Sequence, residues 1–324
     1  ARDTQTMMRL LQSDSKELDV LDAGTTMRFL TAYFALTGKH KILTGTPRMC
    51  ERPIGILIDA LKEIGAEIKF LNKDGYPPLE TIGFSNQQKD EISIRGDVSS
   101  QYISAIMMLA PTLPSGLTIN LIGKIASKPY IMMTLQLMRQ FGALVEYSMD
   151  GKIIIKPSNY HASEFSVESD WSGASYWFSV VSLAKNAEIT LAGLRSDSLQ
   201  GDNRIMEIMR SLGVKSEFTT NGLLLSKTEV QSSFEYDFSS CPDLGQTVAV
   251  VCAAKGIKAE FTGLESLRIK ETDRILALQN ELAKIGVGLE DIDGKRWKIH
   301  PAENIQKFNN IYFDTDEDHR MAMS

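Results

Sequence analysis

Cations recur in this sequence where elementary electrostatics disfavours them. A helix N-terminus exposes backbone N–H groups and carries partial positive charge, so it attracts anions and repels Lys and Arg. Yet Arg48 and Arg52 precede Pro53, and Lys124 and Lys128 precede Pro129. Lys270 and Arg274 stand four residues apart near an expected helix start, and Arg28 and Arg320 fall in the first turn after Asp22 and Asp318. One such cation is ordinarily a solvated surface residue. Recurrence at equivalent positions reads instead as an anion-binding surface built from helix starts. Ser99, Ser100 and Gln101 add hydroxyl and amide donors after Asp97, a run that equally fits ordinary capping. Asp243 and Glu271 are the carboxylates near these cations. They read as general bases, or as a cap and a salt-bridge partner.

Other chemistries find no support. No GxxxxGK[ST] occurs, and no GxGxxG follows a strand, so phosphate ligands here are Arg, Lys, Ser and helix N-termini. Cys50, Cys241 and Cys252 have no CxxC spacing, and the four histidines form no HExxH. No metal and no cofactor is expected, and the odd thiol count fits a reducing, cytoplasmic setting. Lys+Arg number 35 against 41 Asp+Glu, a net charge of −6 that disfavours nucleic acid as a partner. No apolar run reaches the roughly 18 residues a membrane helix needs. Met107, Met108, Met132 and Met133 read as core.

These residues need elements to position them, and an internal repeat supplies those elements. Four segments share one layout: an apolar strand ending in Gly, a polar loop, a helical stretch, Gly before Ala or Val, and another strand. The leading glycines, Gly45, Gly123, Gly193 and Gly263, step by 78, 70 and 70 residues. Asp22, Asp97, Asp170, Asp243 and Asp318 step by 75, 73, 73 and 75, and each precedes an apolar helical run that it is placed to N-cap. KIIIKP and GLLLSK read as extra strands, with KRWKIHPA as a candidate for another. The pattern predicts an α/β fold of units of about 73 residues with two helices each. Residues 1–20 begin inside a unit, whose start is expected roughly 50 residues before Ala1, and DHRMAMS stops at the start of a helix. A break near Ser166–Asp170 divides the chain into domains 1–167 and 168–324, each expected to lack its outer part.

LDAGTTMRFL, TGTPRMCERPIG, SSQ, SKPY, KETDR and DHRMAM, in this order and spacing, resemble the 3-phosphoshikimate 1-carboxyvinyltransferase (EPSP synthase) family from residue 1 to 324. The resemblance implies a two-domain inside-out α/β barrel of repeated βαβαββ units, the enolpyruvyl transferase fold. It implies a monomer that transfers the enolpyruvyl group of phosphoenolpyruvate to the 5-hydroxyl of shikimate 3-phosphate and releases phosphate, on the route to chorismate and the aromatic amino acids. Carried over by position, Ser99, Ser100, Gln101, Ser127, Tyr130, Asp243 and Lys270 bind shikimate 3-phosphate. Gly24, Arg48, Gln101, Arg274 and Arg320 bind phosphoenolpyruvate. Asp243 accepts the proton of the attacking hydroxyl, and Lys270 with Glu271 handles protons.

The chain departs from the family pattern in places. Asp22 replaces a usual Asn, Ser266 replaces a substrate-binding Asn, and Cys50 stands where Lys is common. The family's N-terminal Lys-Ser…Arg motif and its C-terminal Lys are not in this chain. The sister family, UDP-N-acetylglucosamine enolpyruvyl transferase, shares the fold and chemistry but lacks the SSQ and SKPY ligands. A non-catalytic repeat scaffold is the remaining alternative, and the aligned cations argue against it.

Overall fold

The computed structural model describes residues 2–302 and 311–324. Its repeats are visible in the order of strands within each sheet. The first part of the chain runs α1 (Arg2–Leu11), β1 (Glu17–Asp19), α2 (Gly24–Leu36), β2 (Lys41–Thr44), α3 (Pro47–Cys50), α4 (Gly55–Ile64), β3 (Ala66–Phe70) and β4 (Leu79–Phe84). The next repeat runs β5 (Glu91–Arg95), α5 (Ser100–Leu109), β6 (Leu117–Ile122), α6 (Lys128–Gln140), β7 (Val145–Tyr147) and β8 (Lys152–Ile155). The two sheets have the orders β1-β2-β4-β3 and β5-β6-β8-β7, with the first pair parallel and the others antiparallel. Each is one βαβαββ unit.

The second half continues with α7 (Trp171–Leu183), β9 (Glu188–Leu191), α8 (Ile205–Ser211), β10 (Leu212–Thr219) and β11 (Gly222–Val230). Then come β12 (Ser233–Asp237), α9 (Gly245–Lys255), β13 (Lys258–Thr262), α10 (Arg274–Ala283), β14 (Gly288–Asp291), β15 (Arg296–His300) and α11 (His319–Met323). The last sheet, β12-β13-β15-β14, repeats the same order. The third sheet is shorter, β10-β11-β9 and wholly antiparallel. Among the described residues, 157–170 form no strand, although Phe165 and Val167 alternate with polar neighbours. Both are exposed, so nothing buries the alternate face that would hold them in register. One bond equivalent to those of the parallel pairs in the first two repeats is present: Ser169 N–H donates to Gly193 O (2.9 Å), as Val20 does to Thr44 O (2.9 Å) and Gly96 to Ile122 O (2.8 Å).

The chain divides into two units, Ala1–Glu164 and Phe165–Ser324, a little ahead of the expected break after residue 167. Each has its own core, one running from Leu10 to Ile155 and the other from Trp171 to Ile299. The reason is legible in the patterning. Strands such as EISIR and RWKIH bury alternate residues, Ile92 and Ile94 or Trp297 and Ile299, and leave the other face wet. Helix α4 buries Leu57, Ile58, Leu61 and Ile64 along one stripe. The first helix of each repeat has no polar stripe: α2, α5 and α9 are buried around most of their circumference. Inside one unit α2 packs on α5, and inside the other α7 packs on α9. Helices therefore fill each core and sheets wrap it.

Candidate active site

Except for Arg320, which α11 carries, the candidate residues lie past the C-terminal ends of parallel strand pairs. There two strands stop side by side and their loops lead into helices, which is where open α/β sheets present ligand-binding loops. After β1 and β2, Thr46 N–H donates to Leu21 O (3.0 Å). A Cβ on Gly45 would stand 2.5 Å from Leu21 O, so only glycine lets these loops touch. Thr46 then caps α3, accepting from Met49 N–H (3.2 Å), with Pro47 at the first helical position. Arg48 sits on α3 and pairs with Glu51 at 3.3 Å, its side chain 40% exposed.

Gly24 opens α2, and two guanidinium groups converge on it. A Cβ there would lie 2.9 Å from both terminal nitrogens of Arg52 and 3.1 Å from Arg28 Nη1. Both arginines are buried. Arg28 donates to Gly24 O (3.1 Å) and Pro53 O (3.4 Å), and Tyr102 Oη also donates to Pro53 O. Gln101 Nε2 donates to Thr25 Oγ1 (3.0 Å). Gly24, Arg28, Arg52 and Gln101 thus form one group. Arg28 and Arg52 belong to the cation set of the sequence but to neither ligand set that the resemblance implies, and only their spacing from Asp22 and Pro53 marks them.

After β5 and β6, Ser99 caps α5 through Gln101 N–H (3.3 Å), and Ser100 is the first helical residue. Asp97 does not cap; it forks with Arg95, which holds its carboxyl below the usual range. Ser127 precedes α6 in a left-handed conformation (φ 51°) and its side chain makes no cap. Tyr130 N–H bonds Ser127 O (3.0 Å), closing the turn that carries both. Non-glycine residues held there are strained, and such strain concentrates at functional loops.

The densest electrostatics lie after β12 and β13. Asp243 Oδ1 is 3.0 Å from Arg274 Nη1 and 3.3 Å from Lys270 Nζ, and its Oδ2 is 3.4 Å from Arg320 Nη2. Arg274 also grips Asp318 with two bonds, Nε to Oδ2 at 2.7 Å and Nη2 to Oδ1 at 3.2 Å, and donates from Nη2 to Glu271 (2.7 Å). Three cations and three carboxylates interlock, with the Arg274 and Asp318 side chains 1% and 0% exposed. Burial alone would raise the Asp243 pKa. Lys270, Arg320 and Arg274 outweigh it and hold the carboxyl well below its ordinary value. Tyr176, on α7, faces Arg320; burial pushes its hydroxyl up, so it stays protonated.

Two expectations are corrected here. Asp243 does not cap a helix. Pro242–Leu244 form a 3₁₀ turn, α9 starts at Gly245, and the carboxylate turns to the cations. Lys270 and Arg274 do not share a helix face, because Lys270 has extended backbone before α10, which begins at Arg274 with Asp273 as its cap. Of the five anchor aspartates, Asp170 and Asp318 cap as expected. Asp22 instead lies 3.7 Å from Arg2. Among the described residues, no His, Cys, Asp and Glu group is arranged to hold a metal ion, and no helix is long and apolar enough to cross a membrane.

Repeated βαβαββ units with guanidinium-bearing loops at the strand ends define an α/β protein whose candidate site is rich in fixed charge. The family model for EPSP synthase (3-phosphoshikimate 1-carboxyvinyltransferase) matches residues 3–324, and the chain belongs to that family. A 3-phosphoshikimate 1-carboxyvinyltransferase of Bacteroides fragilis (strain YCH46) is 45% identical over 99% of this chain and 78% of its own. One of Methanospirillum hungatei JF-1 is 35% identical over 97% of this chain and 73% of its own. The fold matches a solved EPSP synthase from Acinetobacter baumannii with TM-score 0.68 at 17% identity, over 96% of this chain and 72% of the other.

Proposed function

We propose that the protein transfers the enolpyruvyl group of phosphoenolpyruvate to the 5-hydroxyl of shikimate 3-phosphate. The products are 5-enolpyruvylshikimate 3-phosphate and phosphate, and the work is done by a cytoplasmic monomer without cofactor. Each of the two units is an enolpyruvyl-transferase domain. Family membership supports the reaction. The observation that carries the chemistry is Asp243, a carboxylate ringed by Lys270, Arg274 and Arg320.

Both substrates are anions, so their approach to one another needs fixed positive charge. Arg48, Arg274 and Arg320, with Gly24 and Gln101, take phosphoenolpyruvate. Arg can fork onto a carboxylate or phosphate, and Gly24 lets backbone N–H groups come close. Ser99, Ser100, Gln101, Ser127 and Tyr130 take shikimate 3-phosphate through hydroxyl and amide donors, and Lys270 holds its ring hydroxyls. Asp243 accepts the 5-hydroxyl proton as that oxygen attacks C2 and C3 gains a proton, with Glu271 and Lys270 handling the latter. The tetrahedral intermediate then loses a proton from C3 and its phosphate from C2, restoring the double bond. Preorganised cations supply the electrostatic stabilisation.

The test is phosphate release by the purified chain with both substrates present and with each alone. Release only with both, together with a product heavier than shikimate 3-phosphate by one enolpyruvyl group, supports the reading. Binding of both substrates without product sinks it.

A further inference from the structure

The segment that delivers Arg320 is held at two places by a single helix. At the start of α10, Arg274 grips Asp318, and the same carboxylate accepts from Arg320 N–H (2.8 Å), capping α11. At the far end of α10, Glu281 Oε2 accepts from Asp314 N–H (3.0 Å). Lys284 Nζ bonds both Glu281 oxygens (2.8 and 2.6 Å) and donates to Tyr312 O (3.0 Å). Glu281 is buried although it lies at the end of the helix away from the candidate site. Between the two holds the chain turns through Asp316 (φ 47°) and Glu317 (φ 54°), with Asp318 N–H closing the turn on Thr315 O (2.8 Å). Two successive left-handed non-glycine residues persist only where their surroundings hold them.

We infer that Asp318 and Glu281 are positioning residues, and that α10 clamps residues 312–318 so that Arg274 and Arg320 present their guanidinium groups in one fixed relation. This rests on the proposed enolpyruvyl transfer, in which those two arginines take phosphoenolpyruvate. Neither Asp318 nor Glu281 touches substrate. Asp318 acts on both arginines directly: it orients one side chain and caps the helix that carries the other. Glu281 acts at a distance, by fixing where the segment enters the turn. Lys284 neutralises Glu281 and secures the carbonyl two residues earlier. An anion bound by two forked cations is sensitive to their spacing, so slack in the clamp appears as lost affinity for phosphoenolpyruvate. It leaves the SSQ and SKPY ligands of shikimate 3-phosphate untouched.

The experiment uses the whole chain and three variants, Asp318→Asn, Glu281→Ala and Glu281→Gln. Calorimetry measures phosphoenolpyruvate and shikimate 3-phosphate binding, phosphate release gives KM and kcat, and thermal melting checks the fold. Geometry lost by about an ångström far from the chemistry can cost up to about a hundredfold, so phosphoenolpyruvate affinity should fall about tenfold in Asp318→Asn and about fivefold in Glu281→Ala. Glu281→Gln keeps an oxygen to accept from Asp314 N–H and should recover to within about twofold of wild type. Shikimate 3-phosphate affinity should stay within about twofold throughout. A folded Glu281→Ala with unchanged phosphoenolpyruvate affinity, or with equal losses for both substrates, overturns the clamp. If Asp318→Asn fails to fold, the Glu281 pair decides. A wild type that binds phosphoenolpyruvate without turnover sinks the enzymatic reading while the affinity comparison still judges the clamp. A wild type that binds no phosphoenolpyruvate overturns both.

Discussion

Asp243 and Arg274 meet at 3.0 Å, Oδ1 to Nη1, across 31 residues of sequence. Neither residue is where it is for the sake of helix capping. The contact makes Asp243 an ion-pair partner before it is anything else, and that sets what happens when its charge is removed. Asp243→Asn leaves Lys270, Arg274 and Arg320 facing an amide. Hydrogen bonds to charged groups contribute roughly 1.5–3 kcal/mol, so the variant should lose about that much stability in urea titrations. As a general base that can no longer accept a proton, it should also lose about 10²–10⁴ in kcat. Stability within experimental error of wild type would show the three cations to be compensated elsewhere.

The pH dependence follows from the same carboxyl. Its folded pKa lies below its unfolded value of roughly 3.9, so the stabilisation is complete above that value and is lost as pH falls below about 4. Wild type should destabilise on that acid limb, and Asp243→Asn should have a shallower one. Chemical denaturation at a series of pH values checks it. Equal slopes for the two proteins would contradict the pairing.

Arg274 and Arg320 should separate binding from folding. Arg274→Ala strands the sealed Asp318 carboxylate, and breaking a buried pair on one side typically costs about 3–5 kcal/mol. Arg320→Ala removes a side chain that is 14% exposed and should cost less than about 2 kcal/mol. Each should nevertheless weaken phosphoenolpyruvate binding by about 2–5 kcal/mol. Urea midpoints beside calorimetric affinities distinguish the two losses.

Gly24→Ala tests the arginine pair beneath the helix start. The added methyl would sit 2.9 Å from the ends of the Arg52 side chain, which can swing aside more cheaply than backbone could. The melting temperature should hold, while phosphoenolpyruvate KM rises about tenfold because the methyl keeps the anion off the backbone that Gly24 leaves open. Adding Arg52→Ala relieves the contact. The double variant should then show less than the product of the two single effects.

Glu317→Gly addresses the strained turn before Asp318. A side chain at φ 54° costs about 1–2 kcal/mol, against roughly 0.5–1 kcal/mol of extra unfolded-state entropy for glycine. The variant should be equal to or up to about 1 kcal/mol more stable than wild type in urea, with phosphoenolpyruvate KM unchanged. Glu317→Val should be less stable, since a β-branched residue tolerates that conformation poorly.

The anchor aspartates show how far local spacing reads. Asp170, Asp243 and Asp318 occupy equivalent places in the repeat, and a capping role fits all three on sequence grounds. Asp170 and Asp318 cap, while Asp243 follows Pro242 into a 3₁₀ turn and is drawn to cations near and far in sequence. Arg48 and Arg52 make the same point in the other unit. Both stand beside a helix start and a proline, but Arg52 is the buried one at Gly24, while Arg48 pairs with Glu51.

Periodicity, turn residues and the recurrence of cations at helix starts are short-range properties, written along the chain itself. They are enough to establish the repeat and the α/β class, and to mark the loops in which cations recur. Which carboxylate caps and which pairs with an arginine is a contest between a nearby backbone N–H and a guanidinium dozens of residues away. Asp318 does both, Asp243 only the second, and the latch from Glu281 to Asp314 has no trace in local pattern. Those outcomes depend on distances through space and on the low dielectric of a buried cluster. They exist only once the sheets and helices have brought the partners together.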